Sequence, residues 1–153
     1  EHIYNRTRLL SHRLREAVQV YRFADLSSDV QAYIENLKGM ELKAELQLAG
    51  SPHEDFPYGQ AIQVKRIIQE AITNIIKFAD SSEVLVRMEL KKNSFALSIL
   101  DDGKGFNAAD HHDGIGISNM KIRAKKLKGA LHIESKLKHG TEVVLEYPRS
   151  LQE

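Results

Sequence analysis

The 153-residue chain contains no cysteine. Disulfides, thiolate catalysis and cysteine-ligated metal sites are excluded, and the composition suits a reducing cytoplasm. No window approaches the roughly 18 consecutive apolar residues of a membrane span, and no signal peptide opens the chain. Charge of one sign is not in excess either: 22 Lys and Arg face 21 Asp and Glu. Without a concentrated basic face, nucleic acid is not expected as a partner. Seven histidines are present, but none fall at metal-ligand spacings such as HExxH. Neither an internal repeat nor a low-complexity segment is evident. The first residue is Glu1 rather than Met, so the chain is expected to be part of something longer.

What is present is enough apolar material, 42% of residues, for one core. The run from His2 to Val20 lacks Gly and Pro and carries Leu9, Leu10, Leu14 and Val18 as a stripe, which predicts a helix. A second helix is expected from caps at Ser27 and Ser28 to a stop at Gly39. ELKAELQL alternates as a strand does, and SPHEDFPYG reads as loop. From Gln60 to Ala79 the residues Val64, Ile67, Ile68, Ala71, Ile72 and Ile75 recur at three and four, a stripe wide enough to cover a sheet. EVLVRMELKK and SFALSILD predict a hairpin, and ALHIESKL with TEVVLEYP a second one around His139 and Gly140. Between the hairpins a helix is expected from about Ile117 to Leu127, closed by Gly129. The order helix, helix, strand, helix, two strands, helix, two strands predicts an α+β fold, a two-layer sandwich with helices over a mixed, mostly antiparallel sheet.

Two features carry chemistry. Glu70, Asn74 and Lys77 stand at i, i+4 and i+7 of the long helix and share a face. A carboxylate, an amide oxygen and an ammonium on one face suit Mg²⁺ and phosphate, with Asn74 as the metal's oxygen ligand and Glu70 as a base or organiser. An ordinary solvated helix face accounts for the same three residues. The second feature is ILDDGKGFNAADHHDGIGISNM, Ile99 to Met120, with two glycine pairs, Gly103 with Gly105 and Gly114 with Gly116. Asp101 ends a strand where a carboxylate can accept from an exocyclic amine, and glycines let backbone approach a base closely. The second pair precedes a helix N-terminus, where unpaired N–H groups favour phosphate.

These segments together resemble the GHKL ATPase superfamily of gyrase-type topoisomerases, heat-shock chaperones, sensor histidine kinases and mismatch-repair ATPases. E-A-I-T-N from Glu70 to Asn74, with Lys77, resembles its N box; D-D-G-K-G from Asp101 to Gly105 resembles its G1 box. G-I-G-I-S-N-M from Gly114 to Met120 is similar to its G2 box, and Gly140-Thr141 to its late GT. Within the superfamily, the short interval between Phe106 and Gly114 and the segment LKGALHIESKLKHGTEVVLEYP resemble sensor kinases of the NarL and DesK type.

The resemblance implies the Bergerat ATP-binding fold over residues 21–153, with residues 1–20 as the C-terminal part of a dimerisation helix. It implies ATP and Mg²⁺ as cofactors. Asp101 would hydrogen-bond adenine, Asn74 ligate the metal, Lys77 face phosphate and Thr141 support the base side. Gly103 and Gly105 would let backbone pass adenine, while Gly114 and Gly116 hinge a lid and free a helix end. The implied partners are the chain's own phosphoacceptor helices, a response regulator and a second copy in the full-length homodimer. The implied location is a cytoplasmic domain of a parent anchored at the inner membrane or free of it. Phe78 departs from the family's His or Tyr at that place. His112 before Asp113, in the lid, and His12, beside Arg13, imitate a phosphoacceptor without its surroundings. Arg123 is the cation of its helix with a claim on phosphate or the acceptor domain. Two other readings stay open: a serine kinase of the anti-sigma-factor kind, and a non-catalytic module shaped by nucleotide.

Overall fold

The computed structural model describes residues 20–107 and 114–149. Expectations that fall on residues 1–19, including His12, and on His112 lie outside them. Helix α1 spans Phe23–Glu35, strand β1 Lys43–Ala49, and helix α2 Tyr58–Asn74, which runs on as a π-helical turn, Ile75–Ala79. Strands β2 (Glu83–Leu90) and β3 (Ser94–Asp101) follow, then helix α3 (Ile115–Lys126) and strands β4 (Ala130–Ser135) and β5 (Thr141–Pro148). The sheet order is β1-β2-β3-β5-β4. β1 pairs with β2 in parallel, and every other pairing is antiparallel. The expected α+β class and mixed, mostly antiparallel sheet are therefore found.

The period-2 pattern explains the layering. Val84, Val86, Met88 and Leu90 of β2, Phe95, Leu97 and Ile99 of β3, and Val143, Leu145 and Tyr147 of β5 are buried. Against them lies the α2 stripe, where Val64, Ile67, Ile68, Ala71, Ile72 and Ile75 are all buried as expected. Burying side chains of this size contributes about 1.5–3 kcal/mol each. At one end of the sheet Phe23, Phe56, Phe95 and Tyr147 form a chain of aromatic contacts with centroids 5.3–6.4 Å apart.

Local chemistry moved several boundaries. α1 starts at Phe23, so Ser27 and Ser28 are interior residues rather than caps. The Asp25 carboxylate takes the Arg22 N–H at 2.8 Å. Glu54 and Pro52 carbonyls accept the next two N–H groups at 2.9 and 3.0 Å. With those donors satisfied from outside, Ser27 Oγ instead donates back to Phe23 O at 2.8 Å. The helix stops at Glu35, short of Gly39, in turns in which Leu37 N donates to Ile34 O and Met40 N to Leu37 O. α3 is closed by Lys128, which takes the left-handed conformation at φ 57°. Gly129 is needed for a different reason: a Cβ there would collide with Glu146 O and the Tyr147 side chain.

Candidate nucleotide site

α2 carries the first group of site residues to one end of the sheet, about 24 Å along its axis from Tyr58. It then changes register. After Asn74 the backbone opens into a π turn and ends at Asp80 in the left-handed conformation, φ 50°. Such turns gather at functional sites, and the wider turn displaces residues beyond it from the α-helical line. Glu70 and Asn74 stay on that line and are half-buried. Lys77 and Phe78 lie in the π turn and are exposed. Among the described residues the Lys77 side chain makes no hydrogen bond or ion pair, and it follows Glu70 and Asn74 in the chain within the π turn.

The glycines explain what faces that pair. Gly116 lies in the first turn of α3, whose N-cap is Gly114. A Cβ on Gly116 would collide with Glu70 Oε1 and lie 3.3 Å from Asn74 Nδ2. The N box therefore faces the N-terminal turn of α3, whose first N–H groups have no intrahelical acceptor. A Cβ on Gly114, in contrast, would meet nothing within 4 Å. Further along, Arg123 Nη1 donates to Gln63 Oε1 at 3.1 Å. That contact lies seven residues beyond Gly116, on the order of 10 Å along the helix. Arg123 thus braces α3 against α2.

Asp101 ends β3 and is 4% exposed, the only charged residue among the buried described residues. Its Oδ1 accepts the Gly103 N–H at 2.8 Å, and the Thr141 N–H also donates to this carboxylate. Burial pushes its carboxyl above the ordinary carboxylate range, opposed by those two N–H groups and reinforced by the neighbouring Asp102 charge. A buried carboxylate with two fixed donors can still accept one more hydrogen. That is the requirement for reading an exocyclic amine.

Gly103, Gly105 and Gly140 are required by the protein itself. A Cβ on Gly103 would collide with Ala79 O at the end of the π turn, one on Gly105 (φ 58°) with Lys136 O, and one on Gly140 (φ 79°) with Asp101 O. Lys104 N donates to Ala79 O and Lys138 N to Lys104 O, both at 2.7 Å. The first glycine loop is thus clasped between the end of the N-box helix and the β4–β5 turn.

Comparison with known proteins places these features in one family. The family model for histidine kinase-, DNA gyrase B- and HSP90-like ATPases matches residues 59–151, more than half of the chain. The chain belongs to this ATPase family. Over 101 residues it is 38% identical to the signal transduction histidine-protein kinase/phosphatase DegS of Brevibacillus brevis, a match covering 65% of this chain and 26% of that protein. The Bacillus subtilis (strain 168) protein of the same name is 36% identical over 90 residues, 56% of this chain and 23% of the relative. The matches thus span about a quarter of the length of these relatives. Among solved structures, the histidine kinase domain of the Erythrobacter litoralis EL346 blue-light activated histidine kinase superposes with a TM-score of 0.68 at 18% identity, over 80% of this chain and 60% of that one. The Acinetobacter baumannii histidine kinase AdeS gives 0.65 at 18% identity, over 96% and 77%. The catalytic domain of histidine kinase ThkA gives 0.66 at 14%, over 85% and 95%. At these identities the superpositions establish the fold.

For an ATPase domain the nucleotide is ATP, and two residues to which the motifs gave no role tie its segments together: Asp102, inside the D-D-G-K-G box, and Ser135. Asp102 is exposed, yet it accepts from Ser81 Oγ at 2.5 Å, Ser82 N at 3.0 Å, Ser82 Oγ at 2.7 Å and Glu83 N at 2.9 Å. The hydroxyls of Ser81 and Ser82 and the Glu83 amide hold its carboxyl well below the usual range. It ties the glycine loop to the start of β2. Ser135, at the end of β4, bonds Thr141 Oγ1 at 2.8 Å and accepts from Phe106 N at 2.8 Å. Its only sequence signal is a small polar residue closing a strand five residues before the GT pair. Among the described residues no helix is long and apolar enough to cross a membrane.

Proposed function

We propose that this chain is the ATP-binding catalytic domain of a bacterial two-component sensor histidine kinase. It would transfer the γ-phosphoryl of ATP to a histidine on dimerisation helices outside residues 21–153, for relay to an aspartate of a response regulator. The observation that carries this reading is the facing of Glu70 and Asn74 onto the N-terminal turn of α3 at Gly116, in a chain whose curated relatives are named histidine-protein kinase/phosphatase.

In this reading the Asp101 carboxylate accepts from the adenine amine, and Thr141 supports the base from the strand alongside. Gly103 and Gly105 shape the wall the base passes, and Gly114 and Gly116 present the α3 N–H groups to the phosphates. Phosphoryl transfer is mainly positioning and charge stabilisation, and these residues supply both. Asn74, with one amide oxygen, and Glu70, with one carboxylate, fit an Mg²⁺ that draws most of its octahedron from phosphates and water; bound there, the ion would neutralise charge developing on the phosphates. Asn74 is its ligand, Glu70 the organiser of the accepting group or its base, and exposed Lys77 a mobile cation toward phosphate. Phe78, 65% exposed, offers no polar contact where the family has His or Tyr.

Residues 1–20 then belong to a dimerisation helix, the parent is a homodimer, and the domain works in the cytoplasm. The test is calorimetric titration with an unhydrolysable ATP analogue and Mg²⁺, beside Asn74→Ala. Tight binding that loses its Mg²⁺ dependence in Asn74→Ala supports the site. A folded chain that binds no nucleotide refutes the reading.

A further inference from the structure

The chain enters the ATPase domain through Tyr21 and Arg22, and this short stretch is held from two sides. By its backbone it lies antiparallel to the loop before α2, with Arg22 bridged to Asp55. Phe56 N donates to Tyr21 O and Phe23 N to Glu54 O, both at 2.9 Å. The receiving loop is itself fixed to the sheet. Arg149, just past the end of β5 and with its side chain 7% exposed, donates to Glu54 Oε2 at 3.3 Å and Asp55 O at 3.4 Å. Its other nitrogen reaches the β2–β3 turn, donating to Lys91 O at 2.8 Å.

By its side chain Tyr21 meets both helices. The hydroxyl donates to Asp29 Oδ2 of α1 at 2.8 Å, and the same oxygen accepts from Lys65 Nζ of α2 at 3.1 Å. The Lys65 ammonium stands 5.8 Å from the Tyr21 ring centroid and 5.7 Å from that of Tyr58, and the two rings meet edge to face at 5.3 Å. An aromatic face attracts a cation at such distances, so one carboxylate and two rings hold Lys65 at once. Burial, with the hydrogen bond and charge of Asp29, pushes the Tyr21 phenol far above its ordinary range, so it stays a donor through neutral pH.

Each contact is weak by itself at a partly exposed place. Their effect comes from what they join: the entering strand, α1 and the first half of α2. Lys65 stands five residues before Glu70, about 7.5 Å along the same helix. Without these contacts, the two residues ahead of α1 would be the natural pivot between the domain and the chain that precedes it. We infer that Tyr21, Asp29, Tyr58 and Lys65 form a joint that locks the entering strand to α1 and α2, so that the domain turns as one body about a point ahead of Tyr21. A displacement of the preceding chain then reaches α2 without being absorbed at residues 21–22, and the Glu70–Asn74 pair moves with it. The consequence for phosphoryl transfer rests on the reading of residues 1–20 as part of a dimerisation helix; the joint itself needs no nucleotide.

The experiment is native-state proteolysis of this chain with trypsin, scored by mass spectrometry for cleavage after Arg22. The Arg22 side chain is exposed, so folded backbone is what protects the bond, and the rate follows the population of the locally opened form. Cleavage there should be more than about 100-fold slower than in a free peptide of residues 18–27. Lys65→Met removes the ion pair and both cation–ring contacts, and should speed cleavage by roughly three- to thirtyfold. Lys65→Arg, which keeps the cation, should restore most of the protection. Tyr21→Ala should speed cleavage further, and adding Lys65→Met to it should change little, because Lys65 holds the entry through the ring that is gone. A urea melt confirms folding of each variant, and Lys65→Met decides alone if Tyr21→Ala does not fold. Cleavage as fast as in the peptide, or a rate unmoved by Lys65→Met, would overturn the joint whatever the chain binds. A folded chain that binds no ATP analogue in the calorimeter would refute the functional reading and leave the joint standing.

Discussion

Replacing Asp101 by Asn exchanges one oxygen for an NH₂ in a site 4% exposed, and the structure gives different weights to its effects on binding and on stability. The carboxylate accepts the Gly103 and Thr141 N–H groups, so an amide nitrogen must face one of these donors or the ligand's own amine. A hydrogen bond to a charged acceptor contributes about 1.5–3 kcal/mol, or roughly 10- to 150-fold in affinity, and a donor facing a donor adds to the loss. Asp101→Asn should therefore weaken the ATP analogue by more than about 100-fold. Stability behaves differently. Burial raises the pKa of Asp101, so the folded state holds the ionised form at a cost. That cost is fully present above the raised pKa and is relieved as pH falls through it toward the unfolded value. The amide variant would carry no such cost but would lose one charge-assisted backbone bond, and the two changes should cancel to within about 1 kcal/mol. Calorimetry and urea denaturation of the nucleotide-free chain at neutral pH, with the pH series repeated for the variant, measure both. Unchanged affinity would refute the assignment of the base to Asp101, and a loss of more than about 3 kcal/mol would make Asp101 a structural residue first.

Gly140→Ala should cost at least about 2 kcal/mol and abolish nucleotide binding, because φ is 79° and the new Cβ would collide with Asp101 O; Gly114→Ala, at φ −75° with open space around it, should stay within about 0.5 kcal/mol. Thermal melts of the pair decide whether glycine is needed for chain geometry at both places or at one. Asp102→Ala should destabilise by about 1 kcal/mol, a figure discounted for its exposure. Because its folded pKa lies below the unfolded value of roughly 3.9, its contribution is present above that pH and is lost as the solution is acidified further, so the stabilities of wild type and variant should draw together below about pH 3. Tyr147 Oη is buried without a hydrogen-bond partner among the described residues, so Tyr147→Phe should be neutral or stabilising by up to about 1 kcal/mol in a urea melt; a clear loss would mean that the hydroxyl is satisfied in solution.

The legible parts of the fold were those that depend on periodicity alone. The α2 stripe and the alternation of β2, β3 and β5 need only a count of apolar spacing, and each of those residues is buried. The parts misread depend on partners distant in sequence. The start of α1 is set by Glu54 and Pro52 carbonyls some 30 residues away, and no local signal near Ser27 announces them. The end of α3 is taken by Lys128 in a conformation that usually marks glycine, while Gly129 answers to β5.

The order of the four boxes, the class of fold and the identities of Glu70, Asn74, Asp101 and Thr141 were determined by the sequence itself, because motif spacing and hydrophobic period are properties of the chain. Tertiary structure alone decided which of them converge. The helix carrying Glu70 and Asn74 widens into a π turn where Lys77 stands, the packing of α3 on α2 pairs Arg123 with Gln63, and strand pairing brings Ser135 against Thr141. The physical reason is common to all three: a helix or strand sets the direction of a side chain from local rules, but its hydrogen-bond partner comes from whichever backbone packs alongside.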